Sequence, residues 1–93
     1  MADQTAPLVL SDDTRLLLGQ FADLLDSKRP NAEMREEIRR ARALVLAEQL
    51  HGPTEAAFAA EQDLLAAAPP VRPNQTRGKY AALLRLIAQG VGQ

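Results

Sequence analysis

Glu48 and His51 form an E-x-x-H spacing in the middle of the chain, which sets a carboxylate and an imidazole on adjacent turns of a helix. Carboxylate-bridged di-iron bundles use two such pairs together with further Glu residues. This chain has a single histidine, so only a second copy could supply the second pair, and Asp23 and Asp26 are the extra ligands its first helical stretch offers. His51 also stands directly before Gly52, where it serves as a cation against the carbonyl end of a helix. The expectation is a helix-terminal histidine, with no metal and no cofactor.

Glu61 is the more unusual carboxylate. On a helical wheel it falls between Leu64 and Leu65, one turn from Phe58 and inside an apolar face. Burying it without a partner would cost several kcal/mol or raise its pKa. It is therefore expected at the rim of the core, meeting an Arg of the second or fourth helix. The functional alternative is a carboxylate that takes an Arg from a partner.

The bases fall into two groups. Arg35, Arg39 and Arg42 make a ridge on the second helix, with Glu36 placed to pair with Arg39 and Arg40, and read as a solvated face. Arg72, Arg77 and Lys79 differ, because residues 64–93 contain no acid. With Asn74, Gln75 and Thr76 they gather at the start of the last helix, where N–H groups can receive phosphate and amide side chains can meet base edges. Against nucleic acid stand the net charge of −1, an acidic third helix and a connection with three prolines, unlike the turn of a helix-turn-helix. Docking onto acidic protein surface is the first reading of this segment, with nucleic acid and plain solubility as the alternatives.

No catalytic motif accompanies these groups. There is neither a G-x-x-x-x-G-K-[ST] phosphate loop nor a G-x-G-x-x-G fingerprint. The only serines, Ser11 and Ser27, fall at expected helix ends, which leaves no good nucleophile for a Ser-His-Asp hydrolase. The chain reads as a non-enzyme.

The elements that would carry these residues are four helices, at about 12–26, 32–51, 54–68 and 75–89. Ser11 caps the first, which stacks Leu17, Leu18, Phe21, Leu24 and Leu25 on one face and leaves Leu16 on the other. Ser27-Lys28-Arg29-Pro30 breaks it, and Asn31 is a good cap for the second, which Gly52-Pro53 ends. In that second helix Met34, Ile38, Ala41 and Val45 form a continuous stripe, while Ala43, Leu46, Ala47 and Leu50 form another on its second half. A helix apolar on two sides must be covered on both. Leu46 and Leu50 are accordingly expected at a dimer or partner surface, or at the centre of the bundle. Phe58, Leu64 and Leu65 make the inner face of the third helix, which Pro69-Pro70 stops. Asn74 or Thr76 caps the fourth, whose stripe is Tyr80, Leu83, Leu84, Ile87 and Val91.

Composition bounds the rest. The chain has 93 residues, 46% of them hydrophobic and 25% charged, which suits one soluble helical domain. No cysteine means no disulfide and no thiolate zinc site. The N-terminus lacks the basic and apolar regions of a secretory signal, and no apolar run could span a bilayer, so a cytoplasmic, non-membrane protein is expected. Nine Arg against two Lys, with abundant Ala and Leu, point to a GC-rich genome, bacterial or phage.

Charge alternates along the chain: −4 over residues 1–26, +2 over 27–51, −3 over 52–71 and +4 over 72–93. Acidic helices one and three should therefore neighbour basic helices two and four. The expectation is all-α: a compact four-helix bundle over residues 11–93, with residues 1–10 a flexible arm. The expected function is that of a small interaction or regulatory protein (adaptor, inhibitor, antitoxin-like protein or accessory subunit), with self-association the first partner to consider. The candidate partner-binding residues are Arg72, Arg77, Lys79, Glu61, Leu46, Leu50 and Leu16. The alternative is a nucleic-acid-binding regulator that uses the basic start of the last helix.

Overall fold

The computed structural model describes residues 10–90. It holds four helices, α1 (Asp12–Lys28), α2 (Glu36–His51), α3 (Glu55–Ala67) and α4 (Arg77–Ala88), packed as a four-helix bundle. The flexible arm expected at residues 1–10 lies outside the described residues except for Leu10, which is buried in the core.

Local chemistry sets most of the helix ends. The Ser11 hydroxyl accepts from the Thr14 N–H at 3.1 Å, and Asp12 and Asp13 place negative charge at the positive end of the α1 dipole. Thr54 and Thr76 cap α3 and α4 in the same way, through the N–H groups of Ala57 and Lys79. Gly52 ends α2 in the left-handed region, at φ 71°.

Two antiparallel pairs build the core. α1 packs most extensively on α4 and α2 on α3, and α1 also touches both members of the second pair. Acidic α1 thus lies against basic α4: Arg85 donates to Asp23 at 2.9 Å and to Asp26. Those two hydrogen bonds, Asp26 first, raise the Arg85 pKa further above its ordinary value and hold it protonated. Leu17, Leu18, Phe21 and Ala22 of α1 are fully buried, as are Tyr80, Ala81 and Leu84 of α4, and the Phe21 and Tyr80 rings sit 6.0 Å apart at a tilt.

Of the first stripe, Met34 is buried just ahead of α2 and Ile38 packs against the core, but along the second half of the helix the buried stripe is the second one. Ala43, Leu46 and Ala47 enter the core, whereas Ala41, Leu44 and Val45 face solvent. Leu46, expected at a partner surface or at the centre of the bundle, is a core residue with 3% exposure, so the partner-surface placement does not hold for it. The physical reason lies one turn earlier. Arg39 shares that stripe, and its Nη2 donates to the carbonyls of Leu65 at 2.7 Å and Ala68 at 3.0 Å, while Nη1 meets Glu36 at 2.8 Å. The last carbonyls of a helix have no partner within it, and this register supplies one to α3. Arg39, expected on a solvated ridge, is instead only 12% exposed at its side chain. Tyr80 completes the junction, its hydroxyl donating to the Pro69 carbonyl at 2.6 Å. Burial pushes the Tyr80 pKa up, and the nearby Arg39 guanidinium works against that rise.

Small residues dominate the inner stripes of α2 and α3, with Ala43, Ala47, Ala57 and Ala60 all buried. Such stripes let two helices approach closely, so bulky groups on their flanks are left outside. Phe58, expected on the inner face of α3, is 65% exposed.

Candidate functional site

α1 and α3 begin at one end of the bundle, where His51 closes α2. Ser11, Asp13, Thr14, His51, Ala56, Ala59, Ala60 and Asp63 line a shallow cleft of ≈ 240 Å³ there. His51 Nε2 lies 3.4 Å from Asp13, so the histidine ties α2 to the acidic start of α1 rather than pairing with Glu48. The Ser11 hydroxyl is taken up by Thr14, at 2.9 Å from its Oγ1 and 3.1 Å from its N–H, and makes no hydrogen bond to His51 among the described residues. Among the described residues no three His, Cys, Asp or Glu side chains are grouped to hold a metal.

At the other end the α1–α2 loop and the α3–α4 loop are zipped together. Met34 donates its N–H to Gln75 O, Arg77 to Ala32 O and Gly78 to Pro30 O, each at 2.8 Å, and Glu33 and Thr76 form an antiparallel bridge. This pairing occupies residues 31–34, which is why α2 starts at Glu36 and its N-cap is Arg35, not Asn31. Asn74 turns the chain into the bridge at φ 62°. Gly78 suits the close approach, because a Cβ there would stand 3.1 Å from Pro30 O and the loop would have to give by a few tenths of an ångström.

The same hydrogen bonds change the meaning of the α4 N-terminus. Its first N–H groups are taken by Ala32 O, Pro30 O and Thr76 Oγ1, so they are not open to a phosphate. What the zipper does instead is gather bases that are distant in sequence. Arg29, Arg35 and Arg77 line one cleft of ≈ 340 Å³ with Ala32, Glu33, Glu37 and Ile38. On the other side of Glu33, Asn31, Asn74, Gln75 and Thr76 line a polar cleft of ≈ 270 Å³.

The sequence-derived candidates thus separate. Arg72 and Lys79 are exposed and Arg77 is half-buried, its Nε 3.4 Å from Glu33 O. Glu61 is half-buried, but no Arg of α2 or α4 pairs with it, contrary to the expected rim ion pair, and α3 forms no ion pair among the described residues. Leu46 is in the core; Leu16 and Leu50 are exposed on α1 and α2. Sequence reasoning missed Arg29 and Arg35, which no local pattern links to Arg77. It also missed Arg39, whose spacing of four and seven residues from Ala43 and Leu46 did carry a signal.

Several apolar side chains remain outside a core that is complete without them. Phe58 leads this group, followed by Leu16, Leu86, Leu44 and Val45. No protein-family model matches this chain, and no curated protein or solved structure matches it. No helix among the described residues is long and apolar enough to cross a membrane.

Proposed function

We propose that this chain is a small non-enzymatic interaction protein, a regulator or accessory subunit, that docks a protein partner through the exposed apolar side chains of the α2–α3 pair. The observation that carries the reading is Phe58. It is the largest apolar side chain outside the core and stands 65% exposed on a helix whose inner face is already filled by Ala57, Ala60 and Leu64. Aromatic residues, Phe among them, are enriched at the cores of protein interfaces. Leu44 and Val45 on α2 supply further apolar surface, and they replace Leu46 as the helix-two candidates.

The reading is tested with Phe58→Ser and Leu44→Ser, measured in two ways. Light scattering over a range of concentrations reports self-association, and crosslinking in the cells that make the protein reports a different partner. The expected result is one assembly, of either kind, that both variants lose while keeping wild-type helicity. A wild type that is monomeric and crosslinks to nothing, or variants that crosslink as the wild type does, overturns it.

A further inference from the structure

The zipped loops make a charged surface independent of Phe58, at the end of the bundle opposite the first turn of α3. Its bases come from three places: Lys28 and Arg29 at the end of α1, Arg35 at the start of α2, and Arg72, Arg77 and Lys79 around the start of α4. Among the described residues, Lys28, Arg29, Arg72, Arg77 and Lys79 form no ion pair. Arg35 stands 3.6 Å from Glu33 with both side chains more than half exposed, a pair of little strength. The other acids near this end are Asp26 and Glu36, which are already paired to Arg85, Arg39 and Arg40, and Glu37. In the cleft itself Arg29, Arg35 and Arg77 stand with Glu33 and Glu37, three bases against two acids, and Lys28, Arg72 and Lys79 add unpaired positive charge at the same end of the bundle.

We infer that the cleft between Arg29, Arg35 and Arg77 binds an acidic protein segment that carries apolar residues between its carboxylates. Charge complementarity supports an anion, and guanidinium forks hold carboxylates in bidentate pairs. The rest of the cleft selects among anions. Ala32 and the half-buried Ile38 offer an apolar wall, which a peptide side chain fills and a sugar-phosphate backbone does not. Glu33 and Glu37 in the lining repel a continuous run of phosphates, whereas a peptide places its carboxylates only where the arginines are. No exposed aromatic stands at this end to stack a base, since Tyr80 and Phe21 are buried and Phe58 is on the far turn of α3. The α4 amides that could have held a phosphate are consumed by the zipper.

The test is fluorescence anisotropy of the full chain with four labelled probes: a short Glu/Leu peptide, its Gln/Leu counterpart, a single-stranded and a duplex DNA. The Glu/Leu peptide should bind, with an affinity that falls steeply with salt, and the Gln/Leu peptide should not. Arg29→Ala with Arg77→Ala should weaken binding at least about tenfold. If that pair of changes disturbs the zipper, Arg29→Glu alone, in an exposed loop position, should give the same loss. DNA binding more tightly than the acidic peptide overturns the inference in favour of nucleic acid. Self-association that depends on Arg29 and Arg77 overturns it in favour of a second copy, whose acidic Asp12–Asp13 end would be the occupant. Equal binding of the Glu and Gln peptides, or none, overturns it outright.

Discussion

Arg39→Ala should be among the most damaging single changes to a charged residue in this protein. The guanidinium holds two carbonyls at the end of α3, Leu65 O at 2.7 Å and Ala68 O at 3.0 Å, and bonds Glu36 as well. Leaving a buried acceptor without its donor costs about 1–3 kcal/mol, and bonds to a charged donor sit at the upper end. Two opposing effects reduce the sum. Arg39 Nε is itself buried without a partner, so the wild type already carries a desolvation cost that the variant sheds. Water can also enter the space left by the side chain and reach part of the exposed carbonyls. The net expectation is a loss of about 2–3 kcal/mol, against about 0.5 kcal/mol for Arg40→Ala, an exposed residue that pairs with the same Glu36. In a domain of this size that is a fall in Tm of about 10–20 °C, read by circular dichroism or calorimetry alongside urea unfolding. Arg39→Lys should fall between, because a compact ammonium cannot span both carbonyls and the carboxylate. If Arg39→Ala melts within about 2 °C of Arg40→Ala, the clamp on α3 contributes nothing and the reasoning fails.

Two further outcomes follow from the same geometry. Tyr80 has its pKa raised above the ordinary 10.0 by burial, so the folded state keeps the proton that the unfolded chain gives up. That contribution is whole below about pH 9 and is lost as pH rises through the native pKa. Urea midpoints of the wild type should therefore fall more steeply above about pH 10 than those of Tyr80→Phe, and parallel curves would contradict this. At the glycines, Gly19→Ala adds a Cβ that meets nothing within 4 Å in the middle of α1, and should raise stability by about 0.5–1 kcal/mol. Gly78→Ala should show no such gain, because its Cβ would press on the Pro30 carbonyl that its own N–H bonds; a gain equal to that at Gly19 would mean the loops are not held as described.

The fold was legible where a residue's role is local. Ser11, Thr54, Gly52 and the Pro69-Pro70 stop mark helix ends through their own backbone and hydroxyl chemistry, and the α1 stripe has one apolar face and so one register. The opposite charges of α1 and α4 also told correctly that they lie together, since Asp23 and Asp26 meet Arg85. Legibility ended at α2. Two apolar stripes of similar weight leave its rotation open, and the rotation adopted sets Arg39 on the last carbonyls of α3, a contact no local pattern announces. The start of α2 was lost for a similar reason, as residues 31–34 are drawn into a bridge with residues far along the chain. Phe58 was misplaced because an aromatic on an amphipathic helix normally faces inward, whereas here alanines fill that face. Of the basic site, Arg72, Arg77 and Lys79 were visible as a block without acids, but only Arg77 joins Arg29 and Arg35 in the cleft, and that joining depends on the zipper.

The apolar surface assigned to α2 depends on which of its faces is buried. The most direct measurement is urea unfolding of Leu46→Ala beside Leu44→Ala. The structure predicts that Leu46→Ala loses about 2–5 kcal/mol, a large fraction of the stability of a domain this small, and that Leu44→Ala stays within about 1 kcal/mol of the wild type. The reverse order, with Leu44 costly and Leu46 neutral, would turn the helix over and with it the exposed surface assigned here.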